Sequence, residues 1–266
     1  MWVLSCAWLF VGCGATVHVH RGDGSGAEGS ADDSGKDTGT APPPELACWS
    51  VNFDAFKDHI EIPTLVDGQP TGTVELWFAA ASWEPGATLW SLGNGLPGET
   101  FSNAAIGSQM DAPENSLIFG TFLEDGQGWQ RTDSGSFPTL GAWTHVAATW
   151  SPTGRAVFVD GILAGHSDHG EPIPTGSVVG LLGADANVGN HFGGQIARVR
   201  ISSSVRHTES FTPARGFRTD GETLAIWHLD EGEGAVAHDA SGLGHEGRIN
   251  NRPEDETTWM PSCPGG

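Results

Sequence analysis

Several loop carboxylates in this sequence have the chemistry to bind a metal ion. Asp239 begins the glycine-rich stretch Asp-Ala-Ser-Gly-Leu-Gly, and Asp54 and Asp58 bracket a short turn. Hard cations such as Ca²⁺ bind carboxylate and backbone carbonyl oxygens, which turns of this composition expose. We therefore expect calcium as a structural cofactor at these positions. The alternative is that each aspartate caps its own turn through backbone N–H groups.

Three tryptophans are candidates for contact with a ligand. Trp83, Trp90 and Trp129 lie near expected loops rather than in the clearest core positions. Aromatic faces are common in the linings of ligand sites, and exposed indoles stack on the C–H faces of sugars. Burial in a core is the alternative for each of the three.

The sequence offers no arrangement typical of catalysis. It contains no G-x-S-x-G, H-E-x-x-H or P-loop motif. The acidic stretch Asp230–Glu233 lies in a glycine-broken turn, and His145 lies in the middle of an expected strand, where packing explains it best. We therefore assign no catalytic residue.

The segment 143–150 shows which kind of element must position these residues. In WTHVAATW, Trp143, His145, Ala147 and Thr149 alternate with Thr144, Val146, Ala148 and Trp150, a period of two that predicts a strand. A Ser-Pro-Thr-Gly turn follows, and the chain then reverses again at Asp160-Gly161. Asp-Gly favours the type I′ turn of a tight hairpin.

The amino-acid composition indicates that short strands and tight turns continue through the whole chain. There are 39 glycines, 16 prolines, 11 tryptophans and 12 phenylalanines. Short strands separated by turn residues recur without an amphipathic helix, which is typical of a sandwich or jelly roll. The sequence thus predicts an all-β, two-sheet antiparallel jelly-roll sandwich.

The formal net charge of −21 limits the partners. Such a field repels a phosphate backbone, so we expect no nucleic acid as a partner. The same excess of carboxylates favours cations, although an acidic surface that merely keeps the protein solvated is the alternative.

The amino terminus divides into two segments that precede the folded domain. Residues 1–13 contain an apolar run of the size of a signal-peptide core, and the ending LFVGC resembles a bacterial lipobox with Cys13 as the lipidated residue. Residues 14–46 are rich in Gly, Ser, Asp and Pro and predict a disordered linker. We expect an exported protein that is anchored in the bacterial outer membrane or at the cell surface through its lipid, or alternatively a secreted one.

The folded domain should occupy residues 47–266. Cys48 opens it and Cys263 nearly closes it, so we expect these two to form a disulfide if the protein is exported. Two free thiols are the alternative, and the lack of a C-x₂-C pair disfavours zinc.

The order and spacing of several segments resemble the laminin-G-like, concanavalin A-like lectin/glucanase jelly roll. The resemblance covers roughly residues 48–251. Its carriers are VNFDAFKDHIEIP, GTVELWF, GAWTHVAATW, AVFVDGILAG, LLGAD through FGGQIARVRIS, and IWHLDEGEGAVAHDASGLGHEGRI.

This resemblance implies two packed sheets with ligand loops at a rim, and calcium in many members. Glucanase relatives carry the pattern E-x-D-x-x-E, which is absent here because Glu75 has no acidic residue two positions later. We therefore expect a non-catalytic module that binds glycan or extracellular protein ligands. The alternatives are a glycoside hydrolase or polysaccharide lyase on the same fold, and a purely structural surface domain.

Overall fold

The computed structural model describes residues 48–84, 86–94, 102–109, 116–123, 128–250 and 258–265. All of them belong to one compact unit, Glu45–Gly266. Cys13, the signal-like segment 1–13 and the linker 14–46 lie outside the described residues, so their assignments remain expectations. No helix in the described part of the chain is long and apolar enough to cross a membrane.

Within the described ranges, two antiparallel sheets of eight strands each form the fold, which confirms the expected class. The first sheet has the order β10-β9-β8-β3-β12-β1-β16, with β13 also paired to β12, and the second has the order β14-β15-β2-β11-β4-β5-β6-β7. The strands are β1 (Ser50–Asp54), β2 (His59–Ile62), β3 (Gly72–Ala80), β4 (Thr88–Gly93), β5 (Ser102–Gln109), β6 (Ser116–Leu123), β7 (Gly128–Asp133), β8 (Thr144–Ser151), β9 (Gly154–Val159), β10 (Ile162–Ser167), β11 (Val179–Leu182), β12 (Gly193–Ser202), β13 (Thr223–Trp227), β14 (Val236–Ala237), β15 (Gly247–Asn250) and β16 (Trp259–Met260).

Alternation along each strand places the core between the sheets. Val146, Ala148 and Trp150 of β8, which the period of two places on one face, are fully buried in the shared apolar cluster. The same cluster contains Leu76 of β3 from the first sheet and Phe119 of β6 from the second. Burying side chains of this size is the main favourable term for the fold, since each contributes about 1.5–3 kcal/mol.

The expected hairpin between β9 and β10 is present. Asp160 and Gly161 have φ angles of 49° and 75°, the two positive values that a type I′ turn requires. Oδ1 of Asp160 also accepts a hydrogen bond of 2.9 Å from the backbone N–H of His145. The aspartate therefore serves the turn and the neighbouring strand rather than a ligand.

An irregular stretch, residues 203–222, covers the outer face of the first sheet and is here named the covering segment. The hydroxyl of Thr73 and the indole N–H of Trp77, both on β3, donate to backbone carbonyls of Ser204 and Ala214 at 2.7 and 3.0 Å. The backbone N–H of Phe211 donates to the carbonyl of Gly161 at 2.8 Å. Thr73 and Glu75 on this face of β3 are buried, and Trp77 is half-buried.

Cys48 and Cys263 form the predicted disulfide, across a sequence separation of 215. The carboxy-terminal end is held further by Arg198, which lies at a bulge of β12 with a positive φ of 51°. Its guanidinium lies 3.4 Å from Sγ of Cys263 and donates to the carbonyl of Pro264 at 3.1 Å. The first and last described parts of the domain are thus joined covalently.

Candidate ligand-binding site

Trp90 does not fit the expectation that it contacts a ligand. It lies on β4 and points into the space between the sheets, where only 1% of its surface is exposed. Its strand neighbours Leu89 and Leu92 belong to the same buried cluster. Because neither face of its indole is accessible, Trp90 is a core residue.

Trp83 is half-buried and already has aromatic and polar partners. Its ring stacks on Phe137 with centroids 4.6 Å apart and planes 7° apart, and the edge of Phe78 meets it at 5.8 Å. Its indole N–H donates to the carbonyl of Pro138 at 3.3 Å. One aromatic face is therefore occupied by the protein itself, which leaves Trp83 a secondary candidate.

Trp129 is the exposed member of the three, with 41% of its surface open to solvent. It lies on β7, the edge strand of the second sheet, and its side chain points to the outer face. A Cβ atom built on Gly120 of β6 would lie 2.8 Å from Cε3 of the indole, so the ring rests directly on the glycine backbone. Phe122 packs edge-on at 6.1 Å. The indole is thus held on the sheet while part of it faces solvent.

Two further polar side chains follow Trp129 on the same face of β7. Arg131 and Asp133 are also exposed, whereas Thr132 between them is buried, in line with strand alternation. Arg131 pairs with Gly120 in the register of β6 and β7, so the indole that covers this glycine lies beside the arginine. Sequence reasoning did not find this strand, because GWQRTD carries a single large apolar residue.

The turn between β1 and β2 uses both of its predicted aspartates to hold its own backbone. Oδ1 of Asp54 accepts hydrogen bonds from the N–H groups of Phe56 and Lys57 at 2.8 and 3.0 Å, and Oδ2 of Asp58 accepts one from the N–H of Asp54 at 3.0 Å. These are the contacts of a capped turn. Binding of calcium at Asp54 and Asp58 stays a prediction.

Asp239 has a similar environment in the loop before β15. Its carboxylate accepts hydrogen bonds from the N–H groups of Ile226, Ser241 and His245 and from the Ser241 hydroxyl, at 2.7–3.1 Å. Burial opposes its ionisation, but these hydrogen bonds outweigh burial and lower the pKa of Asp239. Among the described residues no group of three His, Cys, Asp or Glu side chains is placed to hold a metal ion.

The outer face of the first sheet contains a buried polar cluster that the sequence did not reveal. Nε and Nη2 of Arg200 donate to Oε1 of Glu75 at 2.8 and 2.6 Å, and Nε2 of both His145 and His207 lies 3.2–3.3 Å from Oε2. The ring of His207 stacks on Phe211 of the covering segment. The cluster thus connects three strands to that segment.

The neighbours of Glu75 keep its carboxylate ionised. Burial raises its pKa, but the close approach of His145 and His207 and the charge of Arg200 more than compensate, and the net pKa lies far below the usual value. Glu75 is 1% exposed beneath the covering segment. A catalytic carboxyl must reach substrate, and this one does not.

The two packed antiparallel sheets define a concanavalin A-like jelly roll. The sequence agrees: residues 54–210, more than half of the chain, match a laminin-G model described as the concanavalin A-like lectin/glucanases superfamily. The chain belongs to this superfamily, as the segment order indicated.

Three solved structures illustrate the likeness. A candidate carbohydrate-binding protein from Bacteroides ovatus is 18% identical, with a TM-score of 0.58 over 78% of this chain and 59% of that one. A heptameric SAP-like pentraxin from Limulus polyphemus is 13% identical, with a TM-score of 0.48 over 62% and 80% of the two chains. The CBM40 domain of a Ruminococcus gnavus IT-sialidase, bound to α2,3-sialyllactose, is 18% identical, with a TM-score of 0.48 over 60% and 93%.

At 18% identity the first of these likenesses supports the fold and nothing beyond it. This chain spans about three fifths of the Bacteroides ovatus protein, since the match covers 59% of that chain. No functionally curated protein matches the sequence.

Proposed function

We propose that this protein is a non-catalytic module that recognises glycans outside the cell. The observation that carries the proposal is Trp129, an indole that is 41% exposed and rests on Gly120 at the outer face of a concanavalin A-like sandwich. An aromatic surface held in place before binding loses little conformational entropy when a sugar stacks on it. The Bacteroides ovatus protein described as a candidate carbohydrate-binding protein has the same fold, which supports the proposal.

The lack of catalysis is part of the proposal. The buried carboxylate of Glu75 is engaged with Arg200 and two histidines and enclosed by the covering segment. A retaining glycosidase needs a second carboxyl about 5–5.5 Å from the first, and both must face the substrate. We expect no release of reducing ends from any glycan that the protein binds.

Export is supported by the disulfide, since such bonds persist in oxidising compartments. Anchoring through a lipid on Cys13 extends the proposal to a bacterial cell surface. Assistance by calcium remains a prediction. Glycan binding that weakens when EDTA replaces Ca²⁺ would support this assistance, whereas binding that persists would favour Asp54 and Asp239 as caps of their own turns.

A glycan array tests the proposal directly. The full chain is applied with Ca²⁺ and with EDTA, and positive glycans are repeated by affinity electrophoresis and by an assay of reducing ends. We expect retention by at least one glycan without cleavage. No response to any glycan contradicts the proposal, and cleavage of a bound glycan contradicts its non-catalytic part.

A further inference from the structure

We infer that Trp129, Arg131 and Asp133 form a subsite for a neutral pyranose. The sugar ring stacks on the indole, and its hydroxyl groups bind the guanidinium and the carboxylate. This inference rests on the proposed function and names the ligand class and the residues of that site.

The register of two strands brings the stacking surface and the polar groups together. Gly120 of β6 pairs with Arg131 of β7, and the six-membered ring of Trp129 covers Gly120. A sugar on the free part of the indole therefore lies next to the guanidinium. Phe122, which pairs with Trp129 in the same register, lies on the same face and packs against the ring.

Arg131 and Asp133 are arranged as a neighbouring donor and acceptor. Nε of Arg131 lies 3.7 Å from Oδ2 of Asp133, and the two side chains are 39% and 40% exposed. The hydroxyl of Ser116 donates to Oδ1 of Asp133 at 3.3 Å and orients the carboxylate. Adjacent hydroxyl groups on a pyranose present one acceptor and one donor to such a pair.

Two hydrogen-bond donors of this site, the Arg131 guanidinium and the Trp129 indole N–H, have little or no pairing with the described residues and can bind a ligand. The Arg131 guanidinium makes only the loose 3.7 Å contact with Asp133 within the described part of the chain. No hydrogen bond from the described residues reaches the indole N–H of Trp129, unlike those of Trp83 and Trp150. A polar group of a site that has no hydrogen-bond partner in the protein favours ligands that can form that hydrogen bond and strongly disfavours ligands that cannot.

Charge decides between neutral and acidic sugars. The whole chain has a net charge of −21, which repels polyanions at long range. Locally, the positive charge of Arg131 is balanced by the carboxylate of Asp133. A carboxylated or sulfated sugar would face both effects, whereas a neutral sugar faces neither.

Affinity electrophoresis of the full chain with two sets of soluble polysaccharides tests the inference. The neutral set is laminarin, xyloglucan, arabinoxylan and galactomannan, and the anionic set is polygalacturonate, alginate and hyaluronan. We expect retention by at least one neutral polymer and by none of the anionic ones at low salt, where charge repulsion is least screened.

Four variants then locate the site with the polymer that binds. Trp129→Ala should weaken binding at least tenfold, which is about 1.4 kcal/mol. Gly120→Ala keeps the indole but displaces it from the sheet, and Arg131→Gln removes the charged donor; each should weaken binding several-fold. Ile162→Ala, an exposed residue of β10 in the other sheet, is the matched control and should bind normally.

The outcomes separate the two proposals. Retention by a neutral polymer that survives Trp129→Ala, or a preference for anionic polymers, overturns this inference and leaves glycan recognition intact. Failure to bind any glycan overturns both. Thermal melting of each variant distinguishes a lost contact from a lost fold, since surface changes of this kind leave the melting temperature nearly unchanged.

Discussion

A carboxylate that is 1% exposed stays ionised only if its neighbours replace water, and Glu75 has three such neighbours. Arg200 supplies a charged pair of hydrogen bonds, while His145 and His207 approach the other oxygen. Since His207 belongs to the covering segment, the same carboxylate holds that segment on the sheet. Removing the charge would leave Arg200 poorly compensated beneath it.

Glu75→Gln should therefore destabilise the protein by about 3–5 kcal/mol, the usual cost of breaking a buried ion pair. Urea unfolding at neutral pH measures this difference. Glu61→Gln is the matched control, because Glu61 lies on the outer face of β2 with 51% of its side chain exposed, and its removal should change stability by less than about 0.5 kcal/mol.

The same group sets part of the acid dependence of stability. Its pKa in the folded protein is lowered from the ordinary 4.5, so its contribution is complete above that pH and declines as the pH falls below it. Melting temperatures recorded between neutral pH and about pH 3 should fall less steeply for Glu75→Gln than for the natural protein. Parallel curves would contradict the assignment of an ionised Glu75.

The three tryptophans mark the limit of what residue types alone predict. Alternation put Trp150 on one face with Val146 and Ala148, and that face is buried, but it gave no means to separate Trp90 from Trp129. Trp90 and Trp129 belong to strands of the same sheet and face opposite sides of it. The face of this sheet that is buried is the one that packs against the other sheet. The strands of that other sheet are distant in the sequence, so local patterns do not show which face it covers.

Strands and turns were predictable from the sequence where hydrophobic alternation and turn-forming residues indicate the same structure. The segment 143–150 was expected as a strand and lies almost entirely in β8, and the Asp160-Gly161 turn has the expected positive φ angles. β7 was not expected, because a polar edge strand carries little apolar alternation. The covering segment was also missed: its contacts with β3, such as Thr73 to Ser204, join residues 131 positions apart.

Gly161 connects the hairpin to the covering segment and gives a prediction for this element. Its φ is +75°, and a Cβ atom there would lie 2.0 Å from the carbonyl oxygen of Phe211. Gly161→Ala should combine backbone strain with displacement of the segment and cost about 2–4 kcal/mol in urea unfolding.

Gly141→Ala separates the two causes. Gly141 has a similar φ of +72° but no heavy atom within 4 Å of a built Cβ, so only the backbone cost of about 1 kcal/mol should remain. Equal losses for the two variants would contradict a packed contact between the hairpin and the covering segment.

At the scale of the whole molecule, the first and last strands of the folded domain are joined, and the chain carries a large negative net charge. β1 and β16 pair at the edge of the first sheet, and the disulfide joins the segments that enter and leave them. With a net charge of −21, expansion of the denatured chain is favoured by self-repulsion. A crosslink between distant positions opposes that expansion.

The Cys48–Cys263 disulfide should accordingly stabilise the protein mainly through the denatured state. Its sequence separation of 215 corresponds to an upper value of about 5 kcal/mol in the chain-entropy description, and a loss of about 2–5 kcal/mol is expected for the double variant Cys48→Ser, Cys263→Ser. Urea unfolding should also show a steeper dependence on denaturant, because the uncrosslinked chain exposes more surface. Dithiothreitol should shift the natural protein in the same direction and leave the double variant unchanged. A double variant as stable as the natural protein would show that pairing of β1 with β16 and the contacts of Arg198 close the domain without the covalent bond.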